Sequence, residues 1–149
     1  MFKTHISFGF LSGILAIPYL NPANQILFMA LVMMGALLPD VDHPKSKLGR
    51  NVKLIGYLFE HRGFFHSFLM IPVIAFIIWH FTQSYVYIIP LGVGYASHLV
   101  SDAITKEGIM PFHPLSRFRL RGFIRTGGFA EYIFLFFTFV LAVYSTIHL

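Results

Sequence analysis

Residues 63–101, Gly63-FFHSFLMIPVIAFIIWHFTQSYVYIIPLGVGYASHLV-Ser101, run for 39 residues without an Asp, Glu, Lys or Arg. One membrane span needs about 17–25 apolar residues, so this tract is long enough for two, hinged at Thr82-Gln83-Ser84-Tyr85. Working outward, residues 6–39 form a second charge-free tract, divided by the turn-like Asn21-Pro22-Ala23-Asn24-Gln25, and residues 132–149 form a third that fits one helix. The spacing predicts an all-α, polytopic membrane protein. Its transmembrane helices, about five, fall near 5–20, 26–39, 67–82, 86–102 and 130–148. They make two tight hairpins plus a C-terminal helix, in one membrane-embedded domain over 1–149.

Composition points the same way. The chain is 56% hydrophobic and 11% charged, whereas a soluble domain carries about 25% charged residues. Disorder would require far fewer apolar side chains. The absence of cysteine excludes disulfide frameworks, thiolate metal sites, iron–sulfur clusters and cysteine nucleophiles. Five spans place the N-terminus and the 40–66 and 103–129 loops on one side. All eleven basic residues lie there: Lys3; Lys45, Lys47, Arg50, Lys53 and Arg62; Lys106, Arg117, Arg119, Arg121 and Arg125. The positive-inside rule makes that side the cytoplasm, and the expectation is a multi-pass protein of the inner (cytoplasmic) membrane. The net charge of +5 is then a topology signal, and no nucleic-acid partner is expected. Residues 6–20 are not followed by the small-x-small site of a cleaved signal peptide.

Ionisable groups near hydrocarbon are costly and usually partnered. Here they gather at the cytoplasmic helix ends. His5 opens span one, Asp40, Asp42 and His43 close span two, His66 opens span three, His98 and Asp102 close span four, and Glu131 opens span five. His98 and Asp102 are spaced i,i+4 and share one helical face. Asp40-Val41-Asp42-His43 follows Pro39 at a helix exit, where irregular backbone can turn several ligands inward. His61 and His66 lie five residues apart, too far around a helix to share a face, which makes His66 the expected ligand and His61 a proton donor. His5, Asp40, Asp42, His43, His66, His98 and Asp102 exceed the three protein ligands of one catalytic zinc, so two or more ions are expected. Imidazole with carboxylate and no thiolate suits zinc, with manganese or iron as alternatives. Arg117-Phe118-Arg119-Leu120-Arg121 alternates with period two, so an extended segment would present three guanidiniums to phosphate oxygens. Lone His80 and His148 read as interfacial residues of the far face. The HExxH, GxSxG and phosphate-loop patterns are absent.

At these residues the chain resembles a known family, the LexA-regulated, inner-membrane metal-dependent hydrolases, also called YdjM-like. The matching blocks are Leu37-Leu38-Pro39-Asp40-Val41-Asp42-His43-Pro44 with Ser46 and Gly49; His61-Arg62-Gly63-x-x-His66-Ser67; and Gly94-Tyr95-x-Ser97-His98-x-x-x-Asp102 followed by Thr105 and Gly108. His5, Pro114 and Glu131 also match. Phe65 stands where the family commonly has threonine, and Lys106 where some members have proline. The resemblance implies a membrane-bound metal-dependent hydrolase. By a more distant likeness it implies chemistry similar to that of zinc-dependent phospholipase C.

The expected function is therefore metal-dependent hydrolysis at the cytoplasmic headgroup plane, on a phosphoester or phosphodiester of a phospholipid or lipid-linked substrate. Asp42, His61 and Glu131 are the expected catalytic groups for water positioning and proton transfer. Two rivals compete with this expectation. A divalent-metal transporter or sensor would bind ions without turnover, but it needs ligands deeper than helix ends. A phosphohistidine-type lipid phosphate phosphatase could use Ser97-His98-x-x-x-Asp102, but it lacks the Pro-Ser-Gly-His block.

Overall fold

The computed structural model describes residues 1–42 and 63–148, without the side chain of Asp42. Among these residues the protein is all-helical. It has five α-helices: α1 (Phe2–Leu20), α2 (Gln25–Gly35), α3 (Met70–Thr82), α4 (Tyr85–Ala103) and α5 (Phe129–His148). Single 3-10 turns lie at Pro39–Asp42 and Phe64–His66.

Both expected hairpin turns form, by local chemistry alone. Asn21 (φ 41°) ends α1 in the left-handed conformation with its N–H on the Ile17 carbonyl, and the Asn24 side chain accepts the Leu27 N–H to start α2. Gln83 (φ 51°) and the Ser84 side chain repeat this arrangement between α3 and α4. Each device satisfies backbone groups that a helix end leaves open.

Two helices are shorter than the charge-free tracts suggested. α2 stops at Gly35 instead of reaching residue 39, since Pro39 disfavours helical backbone at Leu38 and cannot donate into the helix. α3 begins at Met70 instead of 67. Ser67 does not cap that helix, because its hydroxyl donates to the Pro111 carbonyl (3.0 Å) and accepts the Leu69 N–H (3.1 Å). At about 1.5 Å per residue, α2 and α3 reach roughly 16 and 20 Å, short of a hydrocarbon core of about 30 Å. By length and composition α5 is the one described helix able to cross a membrane.

The bundle is built on close backbone approach. α2 packs on α4 where Gly94 faces the Val32 carbonyl, and a Cβ at Gly94 would lie 1.9 Å from that oxygen. α1 lies across α2, α4 and α5. It is tied to α5 by Thr4 Oγ1 donating to Glu131 Oε1 (2.7 Å) and by a Ser7–Thr138 hydroxyl pair (3.0 Å). Small residues and interhelical hydroxyls are the usual adhesives where apolar burial discriminates poorly between neighbours.

A separate apolar cluster of Met70, Tyr95, Leu99 and Ile109 packs Phe64 and Phe65 onto α4. The Tyr95 hydroxyl donates to the Phe65 carbonyl, so the turn that ends in His66 is fixed against the helix that carries His98. The segment between α4 and α5 is ordered by bridges joining Thr105 to Ile124 and Ile109 to Leu120, and by the Phe68 N–H on the Pro111 carbonyl (3.0 Å).

Candidate metal centre

His5 comes from the first turns of α1, Asp40 from the 3-10 turn after α2, and His66 from the end of the second 3-10 turn. His98 and Asp102 lie one turn apart on α4. They converge on the Asp102 carboxylate. Its Oδ1 is 3.6 Å from His5 Nε2, and its Oδ2 is 3.5 Å from His66 Nε2 and 3.7 Å from His98 Nε2. His98 Nε2 is also 4.0 Å from Asp40 Oδ1. His5, His66, His98 and Asp102 are buried, and Asp40 is partly exposed.

These separations suit a shared cation better than direct hydrogen bonds. Two ligands each about 2.0–2.1 Å from a tetrahedral ion are roughly 3.3–3.4 Å apart, whereas a charge-assisted N–H···O bond closes to about 2.7–2.9 Å. The triplets His5, Asp40, His98 and His66, His98, Asp102 each bring their donor atoms within 4.8 Å of one another. Such buried groups could hold a metal ion. The two triplets share Nε2 of His98, and one ring nitrogen offers one lone pair, so they are not two independent sites.

The surrounding hydrogen bonds fix which nitrogen faces the centre. His98 Nδ1 lies 2.7 Å from the Ala36 carbonyl, which can only accept, so the neutral ring carries its proton there and keeps the Nε2 lone pair. Among the described residues that Nε2 has no hydrogen-bond partner. Ser101 Oγ spends its proton on the His98 carbonyl (2.8 Å) and so accepts from His5 Nδ1 (2.8 Å), which directs the His5 Nε2 lone pair to Asp102 as well. The His5 and His98 rings stack at 3.8 Å and 17°. Two stacked imidazolium cations would repel, so the geometry fits neutral rings beside two carboxylates, a donor set that a dication neutralises.

Ser101 was not among the residues singled out from the sequence. Its signal, i+3 from His98, is legible only once His5 is known to lie against α4. We expect Ser101→Ala to weaken metal binding about 10–100-fold, the usual effect of losing a residue that orients a ligand, and Ser101→Thr to retain it. Competition against a chromophoric chelator measures this, and unchanged affinity in Ser101→Ala would refute the orienting role.

The remaining sequence candidates divide. His43 and His61 lie outside the described residues, and of Asp42 only the backbone, in the 3-10 turn, is described. Glu131 is not a member of either donor triplet. Its Oε1 accepts from Thr4 Oγ1 and its Oε2 from the Gly127 N–H at 2.7 Å, so it closes the start of α5 and ties that helix to α1 one residue from His5. Arg117 and Arg121 are exposed, while Arg119 donates to the Glu107 carbonyl (3.3 Å). His80 and His148 lie in the last turns of α3 and α5 and in neither triplet.

A family model described as YdjM inner membrane protein matches residues 1–148. The chain is 36% identical over 138 residues to "Uncharacterized protein YvsG" of Bacillus subtilis (strain 168), covering 89% of this chain and 86% of that one. It is 36% identical over 104 residues to "Inner membrane protein YdjM" of Escherichia coli (strain K12), covering 59% of this chain and 50% of that one. The same figures hold for the protein of that name from Shigella flexneri, so this chain spans half the length of both YdjM proteins. No solved structure matches.

Proposed function

The chain belongs to the YdjM inner membrane protein family, and on that premise we propose that it is a membrane-bound metal-dependent hydrolase acting on a phosphoester of a phospholipid or lipid-linked substrate. The observation that supports this best is the buried Asp102 carboxylate facing three imidazoles, two of which are held by Ala36 and Ser101 with Nε2 toward it. His5, Asp40, His66, His98 and Asp102 would hold the metal, zinc in the first instance, with manganese or iron as alternatives. A second ion would need Asp42 and His43.

A divalent ion bound there supplies Lewis acidity and a water that ionises near neutral pH. The chain's own groups do the rest. Burial of the centre excludes bulk water. Asp42 positions the attacking water, His61 returns a proton to the leaving group, and Glu131 holds α1 so that His5 reaches the centre. Arg117, Arg119 and Arg121 would orient phosphate oxygens at the headgroup plane. A phosphohistidine route is disfavoured, since His98 Nε2 faces two carboxylates that would repel an incoming phosphoryl group.

We further infer that all five helices are embedded, with the N-terminus, the metal centre and both long loops on the cytoplasmic side. The unequal distribution of the eleven basic residues supports this. Reporter fusions within 103–129 and at the C-terminus should report opposite sides of the inner membrane, and matching sides would mean that α5 does not span. The reaction itself is tested by turnover of a mixed bacterial lipid extract, with and without chelator.

A further inference from the structure

Between Glu107 and Glu131 the chain carries four arginines and no carboxylate. The same segment exposes large apolar side chains: Leu115 at 82%, Phe118 at 59% and Phe123 at 78%. They alternate along the chain with exposed Arg117, Arg121 and Arg125. This is not a spanning helix whose apolar surface meets lipid by default. It is an ordered connection pinned at both ends, by Ala103 and Phe129 at the helix ends and by the Ser67 and Phe68 bonds to Pro111. On the embedding proposed above, a segment pinned in that way would lie at the headgroup plane.

We propose that the 112–125 segment is an interfacial anchor that inserts Leu115, Phe118 and Phe123 into the cytoplasmic leaflet and binds anionic phospholipid headgroups through Arg117, Arg121 and Arg125. Aromatic rings prefer the membrane–water boundary, and basic groups beside an anionic leaflet gain affinity without needing a specific pocket. A soluble protein partner would meet the same apolar side chains, but positive charge with no carboxylate between Glu107 and Glu131 matches an anionic lipid surface. The anchor would bring lipid phosphates to the face that carries the metal centre. The inference rests on the membrane embedding proposed above and is independent of hydrolysis.

The test uses the full chain in nanodiscs. Trp79, on α3, is the single tryptophan. In the wild type its quenching by brominated acyl chains reports embedding. A Trp79→Phe, Phe123→Trp variant then reports the segment. We expect brominated phosphatidylglycerol to quench this variant at least about twofold more than brominated phosphatidylcholine does, with iodide access falling correspondingly. Adding Arg117→Gln, Arg121→Gln and Arg125→Gln should abolish the difference between the two lipids. Iodide access with no lipid quenching, while wild-type Trp79 is still quenched, overturns the anchor and leaves the embedding intact. Absence of quenching at both positions overturns the embedding itself. Shielding from iodide only on addition of a cytosolic extract assigns the surface to a protein and also overturns the proposal. Because the lipid comparison needs only the two aromatic exchanges, it stands even where the triple arginine variant fails to fold.

Discussion

Asp102→Ala is expected to empty the centre of transition metal while the protein still inserts and purifies as a monodisperse species. The reason is geometric. Asp102 lies within 3.7 Å of the Nε2 atoms of His5, His66 and His98, and its two oxygens serve different rings. Its removal leaves the three rings and Asp40, whose Oδ1 is 4.0 Å from His98 Nε2. Loss of a direct ligand that also supplies charge should exceed the roughly 10–100-fold effect of an orienting residue such as Ser101. Metal content per chain, measured by elemental analysis after detergent purification, is the readout. His98→Ala should behave similarly, since its Nε2 belongs to both donor triplets. His80→Ala, in the last turn of α3, should keep the wild-type content. A full complement of metal in Asp102→Ala would remove the basis for the whole centre.

That centre was partly legible in the sequence. His98 and Asp102 could be paired from i,i+4 spacing alone, because a helix fixes the geometry of neighbours one turn apart. The hairpin turns were legible for a similar reason, since Asn21, Asn24, Gln83 and Ser84 act through their own local backbone. Charge-free length overstated α2 and α3, because it measures what lipid tolerates and not where Pro39 and the Ser67–Pro111 bond interrupt a helix. The contacts that tune the centre were illegible. Ser101 matters only through His5, 96 residues earlier, and the Ala36 carbonyl is a backbone group with no side-chain signature. The 103–129 connection gave only the period-two run Arg117–Arg121 to read, which does not foretell that it buries Ile109, Met110 and Ile124. Glu131 shows the converse. It was recognisable as an ionisable group at a helix start, but its hydrogen bonds to Thr4 and Gly127 tie it to helix packing.

Removing the metal should abolish hydrolysis altogether, which is the largest effect expected of this protein. In the proposed reaction the described serines beside the ligands on α4 are poor nucleophiles, because Ser101 and Ser97 donate to the His98 and Gly94 carbonyls, and the chain has no cysteine. Activation of water therefore falls to the bound ion, and the loss should approach the uncatalysed rate instead of a partial decline. Dialysis against chelator, followed by assay on a mixed bacterial lipid extract with mass spectrometry of the products, should show no turnover. Added zinc or manganese should restore it to wild-type protein and fail to restore it to Asp102→Ala. A phosphohistidine enzyme would keep its activity in chelator and yield a trappable phosphoenzyme. A transporter would move ions into liposomes and form no product from any lipid. Chelator-insensitive release of phosphate would defeat the proposed reaction outright. Chelator-sensitive release of a fatty acid would keep the metal centre but assign it to a carboxylic ester. There the arginines at 117, 119 and 121 would have no phosphate to orient at the reacting bond, and their joint replacement by glutamine would act only through the hold of the 112–125 segment on anionic lipid.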